Sequence, residues 1–565
     1  MNAPTPATGN LRRSGGELIV DALRLHGAKH LFCVPGESYL AVLDAFVDAP
    51  ELEVTVCRQE GGAAMMAEAY GKLTGEPGIC FVTRGPGATN ASPGVHIGFQ
   101  DSTPMILFIG QVGREMVERE AFQEIDYRRM FGEMAKWVAQ IDQAERIPEF
   151  VARAFQTATS GRPGPVVLAL PEDMLRDYAE AQPDLTPYRR VTPHPGEDDM
   201  ARLEEQLRQG RKPLAIVGGP GWTAEACQDL MRFSEAWSFP VAAAFRAQDR
   251  FDNEHPNYLG DVGIGVNPKL AARVREADPL LVLGARLGEM TTSGYSLLDI
   301  PRPRQRLIHV HPGAEELGRV YQPELAIQAG MPAMAKALAG LTPPADKPWA
   351  QQLEEGRQDY LAWTEPKPIP GAVQMGEVMS WLRGALPDDA MICNGAGNYT
   401  TWVHRYHRYR QFGTQLAPTS GSMGYGTPAA VAAKRLYPER CVVAFAGDGC
   451  FLMNGQEFAT AVKYDLPIIV IVVNNAMYGT IRAHQEREYP TRISATDLTN
   501  PDFAALARAY GGHGETVETT ADFRPAFERA QASGKPAIIE IRLDPEAISP
   551  VKTLSQIRES ALAEA

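Results

Sequence analysis

Three residues stand where an apolar run gives way to a helical pattern, and their types could do chemistry. Asp448 lies in Gly447-Asp448-Gly449, directly after the apolar run 442–446. Asn475 follows the next such run, PIIVIVV, 27 residues later. A carboxylate and an amide oxygen brought together suit a hard cation. Mg2+ takes few protein oxygens and completes its shell with phosphate and water. Each site alone reads equally well as a turn, because Asp-Gly and Asn-Asn both favour tight bends. Glu60 follows a short apolar strand and opens a helix of small residues, Gly61, Gly62, Ala63 and Ala64. There it could hold or move a proton, or only complement the helix dipole.

For Asp448 and Asn475 to meet, the chain between them must return to the same edge of a sheet. A hairpin is excluded, since residues 451–462 follow a helical pattern and not a second alternating strand. Strand, crossover helix starting near Phe451, and parallel strand make one right-handed βαβ unit. Such a unit delivers both residues beyond the C-terminal ends of the strands, where α/β sheets bind ligands. It would also aim the helix N-terminus at phosphates.

The same alternation fills the chain. LFCV, GICFVT, MILFIG and GPVVLAL read as strands of a first segment. PLAIVGG, FPVAAAF, PLLVLGA and RLIHVH form a second, and AMICNG, CVVAFAG, PIIVIVV and AIIEIR a third. Strands buried on both faces, with helices between them, predict an α/β protein of three doubly wound parallel-sheet domains. Pro-rich stretches at 181–199 and 341–371 read as linkers. The expected organisation is a disordered tail over 1–13, then domains over 14–185, 195–342 and 370–550, the first and third alike in plan.

The 565 residues are 44% hydrophobic and 22% charged, as in ordinary globular proteins. A net charge of −14 argues against nucleic-acid binding. The seven cysteines include no C-x-x-C pair, which predicts buried free thiols of a reducing compartment. The polar N-terminus lacks the apolar core of a signal peptide. No apolar run approaches the ~20 residues of a membrane span.

The Asp448–Asn475 pair resembles the thiamine diphosphate motif, G-D-G followed at a set distance by N-N. By that resemblance Mg2+ is held by Asp448, Asn475 and the backbone carbonyl of Met477, with Gly447, Gly449, Tyr478 and Gly479 around the diphosphate. The run R-x-E-x-x-A-x-x-x-A-x-x-Y at 58–70 is similar to the cofactor-activating segment of thiamine enzymes. Glu60 would then keep the aminopyrimidine protonated, and the small residues after it would pack against a second subunit. VTRGPGATN at 82–90 matches neither G-x-G-x-x-G nor a P-loop. It resembles the segment beside the pyrimidine, which brings in Pro86 and Asn90; Gly36 joins them from Pro-Gly-Glu-Ser. SGSMGYGTPAAVAAK at 420–434 resembles the pyrimidine cradle, with Ser422 and with Met423 as the apolar prop. Core packing explains Met423 as well. AFQE at 121–124 matches acetolactate synthase and places Gln123 near the reacting oxygen, although a surface helix would also accommodate it.

Over roughly residues 14 to 550 the chain resembles the acetolactate synthase-like group of thiamine diphosphate enzymes. That group includes benzaldehyde lyase, glyoxylate carboligase and several 2-keto acid decarboxylases. The resemblance implies decarboxylation and/or carboligation of a 2-keto acid through an enamine, with an aldehyde or second keto acid as acceptor. It also implies a cytoplasmic homodimer or homotetramer with sites between subunits, the pyrimidine on the first domain and the diphosphate on the third. The middle domain is similar to the one that carries FAD in acetolactate synthase.

Several positions depart from that pattern. P-G-G-A becomes Pro35-Gly36-Glu37-Ser38, and R-H-E becomes Arg58-Gln59-Glu60. G-A-R-F-D-D-R becomes Gly284-Ala285-Arg286-Leu287-Gly288-Glu289-Met290, and the lost second arginine counts against FAD. The alternatives are a benzaldehyde lyase-like enzyme acting on 2-hydroxy ketones, a simple 2-keto acid decarboxylase, and an oxidoreductase using VGGPG at 217–221. No clean G-x-G-x-x-G supports the last. Acid–base candidates are His484, soon after Asn475, and His404 and His407 in WVHRYHRYR, which reads as a partly exposed helix.

Overall fold

Uninterrupted apolar runs become the inner strands of three six-stranded, all-parallel sheets. The computed structural model describes residues 12–182 and 184–564. It falls into two units, one ending at Val191 and one beginning at Thr192.

The first unit holds one sheet. From edge to edge its strands are Glu53–Val56, His30–Cys33, Gly78–Val82, Met105–Gln111, Pro165–Pro171 and Trp137–Gln140. Leu31, Ile79, Phe81, Ile106, Phe108, Val166 and Leu168 share one core with the helices Gly15–Leu25 and Ile147–Thr159. Alternate residues point to the other face, where the helices Glu60–Thr74 and Pro86–Asp101 pack on the strands and on each other.

The second unit holds two sheets. The central one runs Tyr258–Asp261, Val241–Ala243, Leu214–Val217, Leu280–Leu283, Leu307–His311, Leu325–Gln328. The last runs Gln415–Leu416, Met391–Asn394, Val442–Gly447, Ile469–Asn474, Ala537–Arg542, His513–Val517. In chain order, the first and last sheets share one sequence of strands: second, first, third, fourth, sixth, fifth. The likeness in plan expected from the sequence is therefore a likeness of topology. In both, strand order reverses between the first and third strands, and a ligand crevice forms beyond such a reversal.

Three expectations need correction and a fourth is refined. Of the proposed tail, residues 1–11 lie outside the described residues. Arg12 and Arg13 belong to the strand Arg12–Ser14, which pairs with Tyr178–Glu180, and Arg13 is held by Glu17 and Asp21. The stretch 341–371 is not a plain linker, because it contains the helix Ala350–Trp363. Trp349, Leu353, Arg357 and Tyr360 recur there at helical spacing, and Arg357 donates to the carbonyls of Asn253 and Tyr258. The helix expected near Phe451 begins at Asp448 and ends at Asn454, because extended Gly447 takes the N-cap place. Finally, the small-residue run Gly61 to Ala64 does pack closely, as expected, and part of that packing is within its own chain, on the helix Pro86–Asp101: a Cβ at Gly94 would lie 2.4 Å from that of Ala64.

Candidate active site

Two clusters form, one in each unit, and each is built at the C-terminal ends of parallel strands.

In the first unit, the strand Glu53–Val56 leads through Cys57, Arg58 and Gln59 into the helix Glu60–Thr74. The Gln59 side chain caps that helix by accepting from the Gly62 N–H at 3.0 Å. Glu60 is therefore its first residue, half-buried. Asn90, on the helix Pro86–Asp101, donates its side-chain amide to Glu60 Oε2 at 3.0 Å. Gly87 lies beside the other oxygen: a Cβ there would stand 3.5 Å from Glu60 Oε1, ordinary contact distance. Pro86 occupies the first turn of its helix, where a missing N–H costs nothing. Gly36 comes close to Thr83; a Cβ would sit 2.4 Å from the Thr83 Cβ. Gln123 sits in a loop and not on a helix, at φ 66°, against Gly85: a Cβ there would meet the Gln123 Cβ at 2.7 Å. Glu60, Gly87, Asn90, Gly85 and Gln123 thus adjoin through the start of one helix.

In the second unit, Asp448 is 2% exposed at the end of Val442–Gly447. Its Oδ1 accepts from the Gly449 N–H at 2.9 Å and its Oδ2 from Asn500 Nδ2 at 2.7 Å. Burial pushes its carboxyl above the ordinary Asp value, against the lowering effect of those bonds. Asn474 ends the neighbouring strand. Its Oδ1 accepts from Asn500 at 3.0 Å, and its Nδ2 donates to Glu540 Oε1 at 2.7 Å. Asn475 is 5% exposed, and its Nδ2 is buried without a hydrogen-bond partner. The chain then turns through Ala476 at φ 54°, and the Met477 carbonyl accepts from the Gly479 N–H at 2.9 Å. Gly449 and Gly479 permit close packing, because Cβ atoms there would lie 2.5 Å from the Tyr478 ring and from Asn398 Oδ1.

These residues fit a hard cation. Asp448 is a buried carboxylate with no ion pair among the described residues, and an isolated buried charge is costly unless it is paired or coordinates a metal. Asp448, the Asn475 amide and the Met477 carbonyl are oxygen donors of the kind Mg2+ takes. No group of three or more His, Cys, Asp or Glu suited to a metal occurs among the described residues.

Ser422 and Met423 lie half-buried in the loop after Gln415–Leu416, with the Ser422 hydroxyl donating to the Met423 carbonyl at 3.1 Å. Cys450 ties that loop to the Asp448 helix by accepting from the Gly424 N–H at 3.2 Å.

In the central sheet the loops beyond the strand ends pack closely. At its reversal of strand order, between Leu214–Val217 and Leu280–Leu283, the two loops abut: a Cβ at Gly219 would lie 1.7 Å from the Gly284 carbonyl oxygen. Trp222 fills the turn and donates to the Gly218 carbonyl at 2.8 Å. Beside it lies a cavity of about 100 Å³ lined by Arg286, His309, Glu316 and Tyr321. Pockets for larger ligands span ~300–1,000 Å³. Arg286 is turned to Glu316 at 3.2 Å.

The histidines also need correction. WVHRYHRYR is largely buried: Trp402, Tyr406 and Tyr409 are at most 1% exposed. Burial holds His404 well below the ordinary His value and pushes His407 down to about 3, so both are neutral and enclosed. His404 lies 3.0 Å from Gln248 and 3.1 Å from Gln415. His484 is exposed, 3.3 Å from Arg487.

Asn500, Glu540 and Cys450 escaped the sequence reading. Glu540 left one trace, a carboxylate inside an apolar strand run. Asn500 left only an Asn-Pro pair, which reads as a turn.

The chain matches three protein-family profiles. The thiamine pyrophosphate enzyme N-terminal TPP binding domain matches residues 13–130, the central domain 200–338, and the C-terminal TPP binding domain 395–541. It is 30% identical over 533 residues to the acetolactate synthase isozyme 2 large subunit of Escherichia coli (strain K12), covering 94% of this chain and 96% of that protein. It is 32% identical to the acetolactate synthase large subunit of Parasynechococcus marenigrum, covering 94% and 87%. It is 29% identical to the probable acetolactate synthase large subunit of Methanocaldococcus jannaschii, covering 95% and 93%.

Proposed function

We propose that this chain, which belongs to the thiamine pyrophosphate enzyme family, is an acetolactate synthase-like carboligase. It joins the acyl group of a decarboxylated 2-keto acid to a second carbonyl compound. Similarity to acetolactate synthases along nearly the whole chain favours this reading over a benzaldehyde lyase, a plain decarboxylase or an oxidoreductase. The structural observation that carries it is Asp448, a buried carboxylate without an ion pair at a strand end, inside the segment matching the C-terminal TPP binding domain.

Thiamine diphosphate supplies, when bound, a nucleophilic carbon and a sink for the electrons released as carbon dioxide leaves. The chain's own residues do the rest. Asp448, Asn475 and the Met477 carbonyl would hold Mg2+ and through it the diphosphate, with Gly447, Gly449, Tyr478 and Gly479 packed around it. Glu60 would hold a proton on the pyrimidine nitrogen, oriented by Asn90. Gly36 and Pro86 shape the wall beside it, and Ser422 and Met423 support the cofactor from the last domain. The Gln123 amide would donate to the reacting oxygen. FAD has no part in this reading. The working unit is a homodimer or homotetramer. A cytoplasmic location is supported by the seven free cysteines. No helix among the described residues is long and apolar enough to cross a membrane.

Product analysis with pyruvate, alone and with an aldehyde acceptor, tests the function. A carbon–carbon coupled product that requires thiamine diphosphate and Mg2+ is expected. Acetaldehyde as the sole product would make the protein a decarboxylase instead.

A further inference from the structure

Glu37, one of the departures from the acetolactate synthase pattern, has a partner. Arg84 donates through Nη2 to Glu37 Oε1 at 3.1 Å. The two residues follow His30–Cys33 and Gly78–Val82, the strands that flank the order reversal of the first sheet. Arg84 is only 8% exposed, and its remaining donors reach two further segments. Nη1 donates to Glu172 Oε2 at 2.9 Å, and Nε donates to the Phe122 carbonyl at 3.1 Å.

That last bond holds the residue before Gln123, in a loop that needs holding. Glu118, Glu120 and Gln123 have φ of 63°, 53° and 66°. Such left-handed conformations cost energy in non-glycine residues and persist only where the surroundings over-determine them. The Phe122 side chain is 72% exposed and anchors nothing by burial. Within the loop, the Glu124 carboxylate accepts from the N–H groups of Glu118 and Ala121. From the sheet, Arg84 grips Phe122 and Gln111 donates to the Ile125 carbonyl at 2.9 Å. Gly85, next to Arg84, forms the surface on which Gln123 rests, and its N–H donates to the Tyr127 hydroxyl at 2.9 Å.

The geometry points to Arg84 as the positioning residue for Gln123, fixing its amide through a guanidinium shared among Phe122, Glu172 and Glu37. This rests on the site role given to Gln123 above. A lysine has three donors but only one nitrogen, and lacks the planar fork that reaches Phe122 from Nε and the two carboxylates from Nη1 and Nη2.

The test uses the full-length holoenzyme with pyruvate as substrate and the variants Arg84→Lys, Arg84→Ala, Gln123→Ala and the double variant Arg84→Ala/Gln123→Ala. Both Arg84 variants are expected to lower kcat about tenfold to a hundredfold, as small misplacements of a positioned group do. Thiamine diphosphate affinity should stay near that of the parent. Amide hydrogen exchange over 118–127 should quicken while Gly78–Val82 keeps its protection. In the Gln123→Ala background the Arg84→Ala loss should shrink to about twofold or less, the mark of coupled residues. If Arg84→Ala does not fold, Arg84→Lys carries the same comparison, alone and with Gln123→Ala. Losses that multiply, or unchanged exchange over 118–127, would overturn the inference and leave Gln123's own role standing. Full turnover in Gln123→Ala would remove that role, and the positioning inference with it.

Discussion

The Asn90 side-chain amide donates to Glu60 Oε2 at 3.0 Å, joining the early turns of two helices that leave different strands of one sheet. The bond fixes one carboxylate oxygen, and Gly87 lies beside the other. Glu60→Gln keeps the shape and an acceptor for Asn90 but removes the titratable carboxyl group. Turnover of pyruvate should fall by about 10²–10⁴-fold, the usual contribution of acid–base catalysis. Hydrogen exchange at C2 of bound thiamine diphosphate, followed by NMR, should slow in parallel, and the melting temperature should hold. Full turnover in this variant would contradict the role given to Glu60.

At the other cluster, Asn500 donates to both Asp448 and Asn474, so it orients a proposed metal ligand and the residue beside another. Removal of metal with EDTA should abolish calorimetric binding of thiamine diphosphate, and added Mg2+ should restore it. Asn500→Ala should weaken that binding about tenfold to a hundredfold, as loss of a ligand's supporting partner does. Asp448→Ala should weaken it further. In metal-free protein the same Asp448→Ala change removes a buried carboxylate that has no ion pair but leaves the Gly449 N–H without its acceptor, so the two effects oppose and the melting temperature should change little. Binding that ignores EDTA would sink the metal assignment.

The inner strands were legible because burial on both faces leaves a continuous apolar run. Within the three six-stranded sheets those missed were Trp137–Gln140, Tyr258–Asp261, Leu325–Gln328, Gln415–Leu416 and His513–Val517, each at an edge of its sheet. Leu325–Gln328 keeps contact with solvent at alternate residues, while Gln415–Leu416 is buried but only two residues long and Tyr258–Asp261 is interrupted by Gly260; such short or mixed segments resemble loops. Asp448, Asn475 and Glu60 were visible because each interrupts a strand–helix joint with an unusual residue type. Arg84 and Asn500 were not, because their partners lie far away in sequence: Phe122 and Glu172 for one, Asp448 for the other. Nothing local marks them. The burial of His404 was hidden likewise, since the residue packs against Gln248, distant in sequence.

The closed loops of the central sheet carry a spectroscopic expectation. Gly219 and Gly284 approach closely where the strand order reverses, Trp222 donates to the Gly218 carbonyl, and Arg286 is paired with Glu316. Protein purified without added cofactors should show no flavin absorbance in the visible range, and added FAD should neither bind in calorimetry nor raise the melting temperature. A yellow preparation with stoichiometric FAD would show that these loops open.

Glu486 carries the clearest dependence on pH. It lies on the helix Gly479–Glu488, with its side chain buried. Arg558, on the C-terminal helix Leu554–Glu564, donates to both its oxygens at 2.8 Å, and Arg482 and the Thr491 N–H add further bonds. Arg558 first, then the other donors, hold its carboxyl at about 2, below the ordinary 4.5. A depressed acid stabilises the folded state in full above its unfolded pKa and loses that contribution as pH falls towards its folded one. The tie between the two helices should therefore be complete above pH 4.5 and weaken progressively towards pH 2. Amide exchange over Leu554–Glu564 should quicken across that window. Arg558→Ala should bring the same quickening at neutral pH and cost about 1–3 kcal/mol, the range for a charged hydrogen bond that is partly screened by solvent. Equal protection at neutral pH in the parent and in Arg558→Ala would show that the helix is held by its apolar contacts alone.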